Sequence, residues 1–480
     1  MEKNKWQWLL LLFIGICIFW VSCERDNEID PNFGRQPVSG DTLKVNTFIY
    51  EYTKELYLWT STVDWTKQYP QYEPNSFDFF DKLKYKEEDR WSMLTGDAKG
   101  FYNALDGVSA SSFGYELIWG RFSDYPSRFA IVLYVYPNSP AELAGLQRGD
   151  FLVTINGMED ITDDNYMDFY NAQTILAGKA VLSDSGLVMD YNLIYMNAVS
   201  MYEDPVVKDT IIVKGAHKVG YVCYTSYTLE SANRLLEVFA DFKAKGVSDV
   251  VLDLRYNGGG YATVSCLLSS ILAPNAVVKQ KEVFLTETWN EQCMAEFAKD
   301  GEDMNEYFMD NIPVNMDLNR LYVLTLKHSA SASEATIIGL KPYMDVIQIG
   351  DTTHGKYYGG GLIQPMVYDG SNGWIVDKQI ENWLLYLMVY RYADKNGDVS
   401  FSGGLVPDID AEEDYFPLYP LGDERDPLFG KAFEMITGES SVRTRTQSIP
   451  FPHTMDAAKL RSPLNGKMIH TGKMPVKISD

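Results

Sequence analysis

An alternation of strand-like and helix-like runs between Val219 and Gly350 constrains the fold of this chain more than any other feature. The strand-like runs are short, apolar and bounded by turn residues: VGYVCYTSY (219–227), VVLDLRYNGGG (250–260), LYVLTL (321–326) and DVIQIG (345–350). The helix-like runs lie between them: LESANRLLEVFADFKAKG (229–246), YATVSCLLSSILA (261–273) and SEATIIGLKPYM (333–344). Strand and helix in turn predict βαβ units around a mostly parallel sheet.

We expect the α/β core over 201–430. The remaining sequence divides into further regions around it. Residues 41–109 carry apolar side chains at helical spacing and a second helix-like stretch at 76–94, which predicts a small helical domain. The expected C-terminal tail, 431–480, begins with a helix-like stretch and continues as polar sequence dotted with proline. We therefore expect a multidomain α/β protein, since 480 residues exceed one ordinary core.

Residues 110–200 change to strand patterning, with a Pro turn, a short helix and a Gly-Asp turn inside them. The run AGLQRGDFLVTING (144–157) resembles the signature of PDZ domains. PDZ domains bind C-terminal peptides by adding them as a strand to an exposed sheet edge. The resemblance implies a peptide-binding role for the region around the signature residues Ala144, Gly145, Leu146, Gly149 and Asp150. A small β-domain used only for packing remains the alternative.

The stretch HSASASEATIIG (328–339) lies where a central strand gives way to a helix. Reactive groups of open α/β sheets gather at the carboxyl ends of strands, and Ser329, Ser331 and Ser333 all lie there. Amides at the start of the following helix could stabilise an oxyanion. Serine is also a favoured helix N-cap, so the pattern by itself does not require catalysis and is explained by simple capping as well.

A nucleophilic serine needs a base, and the loop GDTTHGKYYGGGLIQP (350–365) follows the next strand at the same sheet edge. It offers His354 and Lys356. A lysine acts as a base only when its surroundings lower its pKa from ~10.4 to about 7–8, whereas most loop lysines are solvated.

The combination SASASE and G-x-x-T-x-G-K, together with the order of signal, helical region, PDZ region and α/β core, resembles the C-terminal processing peptidases, or tail-specific proteases. The resemblance implies a crotonase-like α/β core and a serine endopeptidase that acts on proteins or peptides through a serine–lysine dyad. Ser331 and Lys356 have the spacing of that dyad, so the resemblance selects Ser331 as the nucleophile and Lys356 as the base.

Other site residues follow from the same resemblance. LDLRYNGGG (252–260) is similar to the family's oxyanion loop, which assigns the oxyanion hole to Ala332 and Gly260, with Gly259 as an alternative. The family's lysine is often oriented by a glutamine four residues later; position 360 is glycine here, and Gln364 is the nearest candidate. His354 replaces an aromatic residue common in the family, so a Ser–His pair stays open as an alternative.

The N-terminus, MEKNKWQWLLLLFIGICIFWVSC, has the order of a secretory signal, and its apolar run is shorter than the ~20 residues of a spanning helix. Val21-Ser22-Cys23 resembles the end of a bacterial lipobox, although Trp20 departs from it. We expect a signal peptide over 1–23, lipidation at Cys23, a polar tether over 24–40 and a lipid-anchored protein of the bacterial cell envelope. An uncleaved anchor and an ordinary signal are the alternatives.

Charge and motifs exclude several functions. A formal net charge of −24 argues against nucleic-acid binding, which needs clustered Lys and Arg. The five histidines show no ligand-like pairing, and the glycine runs lack nucleotide-binding spacing, so we expect no metal and no cofactor. The rival function is a non-catalytic peptide- or ligand-binding lipoprotein on the same fold.

Overall fold

A computed structural model describes residues 32, 34–121, 127–183, 186–371, 373–397, 401–439, 455–456, 467–470, 472 and 474–475. The expected signal peptide, the expected lipidation site Cys23 and most of the expected tether lie outside the described residues. Among the described residues, no helix is long and apolar enough to cross a membrane.

The N-terminal region is mainly helical, with α1 (Gly40–Leu56), three 3-10 turns (Thr60–Thr62, Trp65–Lys67, Pro70–Tyr72), α2 (Ser76–Leu83), β1 (Met93–Thr95) and α3 (Ala98–Leu105). Helix α1 buries the apolar stripe read from the sequence: Val45, Phe48, Ile49, Tyr52 and Leu56. These side chains share one hydrophobic cluster with the α/β core, so the region packs as a layer of the core.

The helix expected over 76–94 is wrong in its length, because α2 ends at Leu83. The buried carboxylate of Asp89 accepts hydrogen bonds from the Trp91 and Ser92 amides at 3.1 and 2.8 Å and from the Tyr57 hydroxyl at 2.7 Å. These bonds hold a turn where the sequence pattern suggested a continuing helix.

The PDZ region runs slightly beyond the expected limits of 110 and 200. Its elements are β2 (Val108–Ser112), β3 (Tyr115–Gly120), β4 (Phe129–Val135), α4 (Pro140–Leu143), β5 (Phe151–Ile155), β6 (Glu159–Asp160), α5 (Asp168–Asn171), β7 (Thr174–Ser183), β8 (Gly186–Asn197) and β9 (Val199–Tyr202). Strands β3, β4, β5, β7 and β8 form an antiparallel sheet in that order, and β2 pairs with β9.

The remaining elements build the α/β core. They are β10 (Val206–Lys214), β11 (His217–Tyr224), α6 (Ser231–Ala244), β12 (Asp249–Asp253), β13 (Gly259–Tyr261), α7 (Ala262–Leu272), α8 (Asn275–Lys279), β14 (Val283–Trp289), α9 (Glu291–Asp300), β15 (Asn305–Tyr307), β16 (Arg320–Thr325), α10 (Ala332–Leu340), β17 (Asp345–Gly350), β18 (Tyr358–Ile363), β19 (Met366–Asp369), β20 (Gly373–Val376), β21 (Leu384–Ala393), β22 (Ile409–Asp410), α11 (Pro427–Thr437), β23 (Met455–Asp456) and β24 (Lys467–Ile469).

The first core sheet has the order β10-β11-β12-β16-β17-β22. Pairing from β11 to β22 is parallel, and β10 is antiparallel to β11, so the predicted βαβ arrangement is confirmed. One face packs against Leu428, Phe429 and Phe433 of α11. The other face packs into the large cluster that contains α6, α7 and α10.

The second core sheet has the order β13-β24-β18-β21-β14-β15, with β1 paired to β21. This arrangement corrects the expected C-terminal tail over 431–480. The boundary at 430 falls inside α11, and β24 lies between β13 and β18 with Met468 and Ile469 fully buried. Two apolar side chains in a mostly polar sequence are enough to fill this slot, which explains why the sequence pattern did not predict it.

Candidate active site

The residues singled out in the sequence meet at one edge of the first core sheet. Ser331 follows β16 and precedes α10, and Lys356 follows the adjacent strand β17. The glycines 259 and 260 follow β12 on the other side of β16. Because these strands are parallel, their carboxyl ends share an edge, and the three loops converge there.

Ser331 is completely buried and has φ +62° and ψ −109°, a backbone conformation that L residues rarely adopt. Such strain costs of order 1–3 kcal/mol and persists only where the surroundings hold it. Among the described residues, Ser331 Oγ has no hydrogen-bond partner. The strained backbone of Ser331 thus sets the direction in which its side chain leaves the start of α10.

Lys356 is also completely buried. Burial lowers the pKa of Lys356 well below its ordinary value of 10.5, and Lys467 on β24 lowers it further, against the opposing effect of Asp89 and Glu334. Its Nζ donates a hydrogen bond to the hydroxyl of Tyr386 at 3.1 Å. The lowered pKa favours the neutral amine, which is the form able to accept a proton.

Glu334, on the first turn of α10, joins the serine and lysine loops. One carboxylate oxygen accepts the amides of Ser331 and Lys356 at 2.7 and 2.9 Å. The other accepts the Thr353 hydroxyl and the Gly355 amide, both at 2.6 Å. Burial raises the pKa of Glu334 to about 7, while these hydrogen bonds oppose the rise. The Ser-x-x-Glu capping pattern of the sequence thus has a second consequence, because it fixes the two loops to each other.

Tyr392, on β21, joins the same two loops from the opposite side. Its hydroxyl lies 2.6 Å from the carbonyl oxygen of Lys356 and 3.0 Å from that of Ser331. Amides and carbonyls of both residues are thereby held by side chains that reach neither the hydroxyl of Ser331 nor the amine of Lys356. No local sequence signal points to Tyr392.

The glycine loop lies beside Ser331. Gly259 and Gly260 have φ +110° and +138°, and a Cβ at position 259 would come within 2.7 Å of the Lys467 carbonyl and 3.0 Å of Ser331 Cβ. The Gly259 amide donates to Asn257 Oδ1 at 2.8 Å, so it is already committed. Ala332 is the first residue of α10, and helix-start amides have no acceptor within the helix.

A buried ion network supports this loop and reaches the PDZ region. Arg255 contacts Asp253, Asp426 and Glu413 at 2.9–3.0 Å. Arg148, within the PDZ signature, contacts Glu413 at 2.8 Å and the Tyr256 hydroxyl at 2.7 Å. Burial opposes the charge, but Arg148 and Arg255 hold the pKa of Glu413 below its ordinary value.

The signature residues of the PDZ region make contacts within the chain. Leu146 is in the PDZ core, Gly149 (φ +89°) lies against the carbonyl of Leu418, and Asp150 pairs with Lys179 at 2.7 Å. Ala144 and Gly145 form the turn after α4. Arg148 donates to the Tyr419 carbonyl, so Arg148 and Gly149 attach this part of the signature to the core, while the β3 side of the PDZ sheet pairs with β23.

The two further candidates are Gln364 and His354. Gln364 is within 3.5 Å of the Tyr102 hydroxyl and the Glu381 carbonyl, and the group that contacts Lys356 Nζ is instead Tyr386. The expectation that Gln364 orients the lysine is corrected on this ground. His354 is exposed, and its ring lies 6.4 Å from that of Trp91.

A cavity of about 600 Å³ lies between α3, the PDZ region and the glycine loop. Its lining includes Phe101, Glu116, Tyr134, Tyr136 and Gly259. Within the described ranges, no group of three His, Cys, Asp or Glu side chains could hold a metal ion.

Comparison with known proteins agrees with this layout. Residues 218–411 match the peptidase family S41, residues 131–180 a PDZ domain, and residues 44–93 the N-terminal domain of S41 peptidases. These matches, together with the relatives below, support the C-terminal processing peptidases of family S41, with a PDZ domain, as the family of this chain.

Two relatives illustrate the relationship. The carboxy-terminal processing protease CtpB of Bacillus subtilis (strain 168) is 27% identical over 304 residues, which cover 61% of this chain and 54% of the relative. The chloroplastic C-terminal processing peptidase of Tetradesmus obliquus is 25% identical over 343 residues, 68% of this chain and 64% of the relative. The matched region therefore spans between about half and two thirds of these relatives.

A solved structure from Bacteroides fragilis NCTC 9343, described as an S41 protease, shares the fold. The superposition has a TM-score of 0.67 at 24% identity and covers 81% of this chain and 97% of the other.

Proposed function

We propose that the protein is a serine endopeptidase in which Ser331 is the nucleophile and Lys356 the general base. The observation that carries the proposal is the complete burial of Lys356, with its lowered pKa, in a loop tied to Ser331 through Glu334. A serine hydroxyl is inert at neutral pH unless a base accepts its proton.

In this mechanism the neutral amine of Lys356 takes the Ser331 proton while Oγ attacks a peptide carbonyl. The amides of Ala332 and Gly260 stabilise the resulting oxyanion, and Gly259 is less suited because its amide already donates to Asn257. Lys356 then gives its proton to the leaving amine. Water hydrolyses the acyl-enzyme, with Lys356 again accepting a proton.

The reaction requires Ser331 Oγ and Lys356 Nζ to approach each other, because neither atom is bonded to the other in this structure. Such hydrogen bonds are often long in unliganded sites and tighten when substrate binds. An exposed His354 is less suited to the task than the buried lysine.

We further propose that the PDZ region recognises substrate C-termini. The cavity between that region and Gly259 supports a path for an extended peptide from the PDZ sheet toward Ser331. Lipid anchoring at Cys23 to the bacterial cell envelope is part of the proposal, and its test is mass spectrometry of the mature N-terminus in wild type and Cys23→Ala.

The decisive experiment measures cleavage of unstructured substrates that differ only in their last three residues, with Ser331→Ala as the control. Cleavage that depends on both Ser331 and the tail supports a tail-specific endopeptidase. Cleavage that ignores the tail retains the protease and removes the PDZ role. Tail binding without cleavage by the wild type favours the non-catalytic binding protein.

A further inference from the structure

The amine of Lys356 has a defined partner that the dyad mechanism does not use. In the part of the chain that the structure describes, Nζ makes one hydrogen bond, to the hydroxyl of Tyr386 at 3.1 Å. The amine also lies 5.5 Å from the centre of the Tyr386 ring and 5.6 Å from that of Trp91. Tyr386 is thus the side chain whose hydrogen bond can orient the amine.

The direction of the hydrogen bond follows from a second contact. The Tyr386 hydroxyl donates its proton to the carbonyl oxygen of Met468 at 2.8 Å. A phenol has one proton, so toward Lys356 the same oxygen can act only as an acceptor. The amine therefore donates one N–H to Tyr386. In the neutral amine the nitrogen lone pair is not used by this bond, and it is the lone pair that must accept the proton of Ser331.

Tyr386 is fixed in this position by the sheets around it. It lies on β21, opposite Leu362 of β18, and is completely buried. A Cβ at Gly360 would collide with its ring, so the glycine at 360 makes room for the ring. Burial raises the pKa of Tyr386 well above 10, and the hydroxyl keeps its proton wherever the protein is folded at ordinary pH.

We propose that Tyr386 positions Lys356 for proton transfer and that the Met468 carbonyl sets the direction of this contact. Strand β24 then contributes to the site, because its Met468 carbonyl accepts the Tyr386 hydroxyl proton. The proposal rests on the proposed function, since it assigns a role within the Ser331–Lys356 reaction.

The test is Tyr386→Phe, which removes the hydroxyl and keeps the ring. We expect kcat to fall between about 10-fold and about 100-fold with KM unchanged, because a misoriented base affects the chemical step rather than binding. The acid limb of the pH–rate profile should move to lower pH, because the ammonium form loses its hydrogen-bond acceptor.

A purely structural defect gives the opposite pH signature. Water that enters a loosened site would relieve the burial of Lys356 and move the acid limb to higher pH. Tyr343→Phe is the matched control, since the Tyr343 hydroxyl also donates to a backbone carbonyl, that of Val283 at 2.6 Å, away from the site. It should leave kcat and the pH profile unchanged.

A second measurement is independent of turnover. In the Ser331→Ala protein with ¹³C-labelled lysine, the Lys356 resonance should titrate at lower pH after Tyr386→Phe. If Tyr386→Phe does not fold, 3,5-difluorotyrosine at position 386 keeps the ring and hydroxyl but weakens the acceptor, and the same direction is expected. An unchanged kcat, or a titration that moves to higher pH, would overturn the proposal. An inactive wild type would refute the proposed function while leaving the titration result to decide the role of Tyr386.

Discussion

Replacing Lys356 with methionine should stabilise the fold, and the gain should be largest at low pH. The folded state holds Lys356 with a pKa well below 10.5, whereas the unfolded chain binds its proton normally. Between these two pKa values the unfolded state carries more protons, so the stability of the parent rises with pH. Methionine has similar length and no proton to bind, so the advantage of the variant shrinks as the pH approaches 10.5.

The magnitude follows from one proton. A difference of one bound proton changes the free energy of unfolding by about 1.4 kcal/mol per pH unit. Over two pH units that lie between the folded and unfolded pKa values of Lys356, the advantage of the variant should therefore narrow by about 3 kcal/mol. Lys467, whose pKa burial lowers to about 8, contributes a slope of its own in both proteins and largely cancels in the comparison.

The assay is urea unfolding followed by tryptophan fluorescence at several pH values. Both proteins should carry Ser331→Ala, so that self-cleavage does not distort the curves. Lys327→Met is the control, because the Lys327 side chain is 77% exposed and should show no such pH-dependent gain. A Lys356→Met protein that is less stable than its parent at every pH, or an advantage that does not vary with pH, would contradict the lowered pKa of Lys356 in the folded state.

Three further substitutions test other parts of the site. Arg148→Ala should cost about 3–5 kcal/mol of unfolding free energy, because it leaves buried Glu413 short of a partner; urea unfolding measures the loss, and a coupling near zero in a double-mutant cycle with Glu413→Ala would contradict it. Gly259→Ala should abolish cleavage and lower the free energy of unfolding by about 1–3 kcal/mol, because its φ of +110° and the nearby Lys467 carbonyl leave no place for a Cβ. Gly370 lies in open space, so Gly370→Ala should change neither cleavage nor stability. Equal activity in the two variants would argue against the tight loop. Tyr392→Phe should lower the unfolding free energy by about 1–2 kcal/mol and reduce kcat, because the Lys356 carbonyl loses its donor; calorimetry and turnover measure both, and full activity would show that the bridge is dispensable.

The parts of the fold that depend on residues close together in the sequence could be predicted from it. The strand at 345–350 and the helix at 231–244 lie within the segments read from apolar patterning, and the strands at 249–253 and 320–325 each begin one residue before theirs. The convergence of Ser331, Lys356 and the glycine loop also follows, because parallel strands bring their carboxyl ends to one edge.

The rest of the site depends on contacts between distant residues, which have no local pattern. Tyr386 and Tyr392 are ordinary members of an apolar strand, and only the pairing of β21 with β18 brings them to Lys356. Lys467 and Met468 lie in sequence that reads as a polar tail, yet a buried strand of three residues is enough to complete the sheet. Glu334 had a partial signal, since Ser-x-x-Glu predicts a cap, but its bonds to the Lys356 loop require the tertiary fold.

The energetics of the site explain why it needs so many buried hydrogen bonds. Ser331 is held in a strained backbone conformation, and Lys356 is held where burial lowers its pKa well below the ordinary value; each of these features lowers stability on its own. Glu334 and Tyr392 bond to the backbones of both residues, so they offset the cost without occupying the atoms that would react. Substitutions that relieve the backbone strain at Ser331 or the burial of the Lys356 amine should raise the free energy of unfolding and lower the rate of cleavage. A substitution that relieves one of them and leaves cleavage unchanged would mean that this feature has no part in the function of the site.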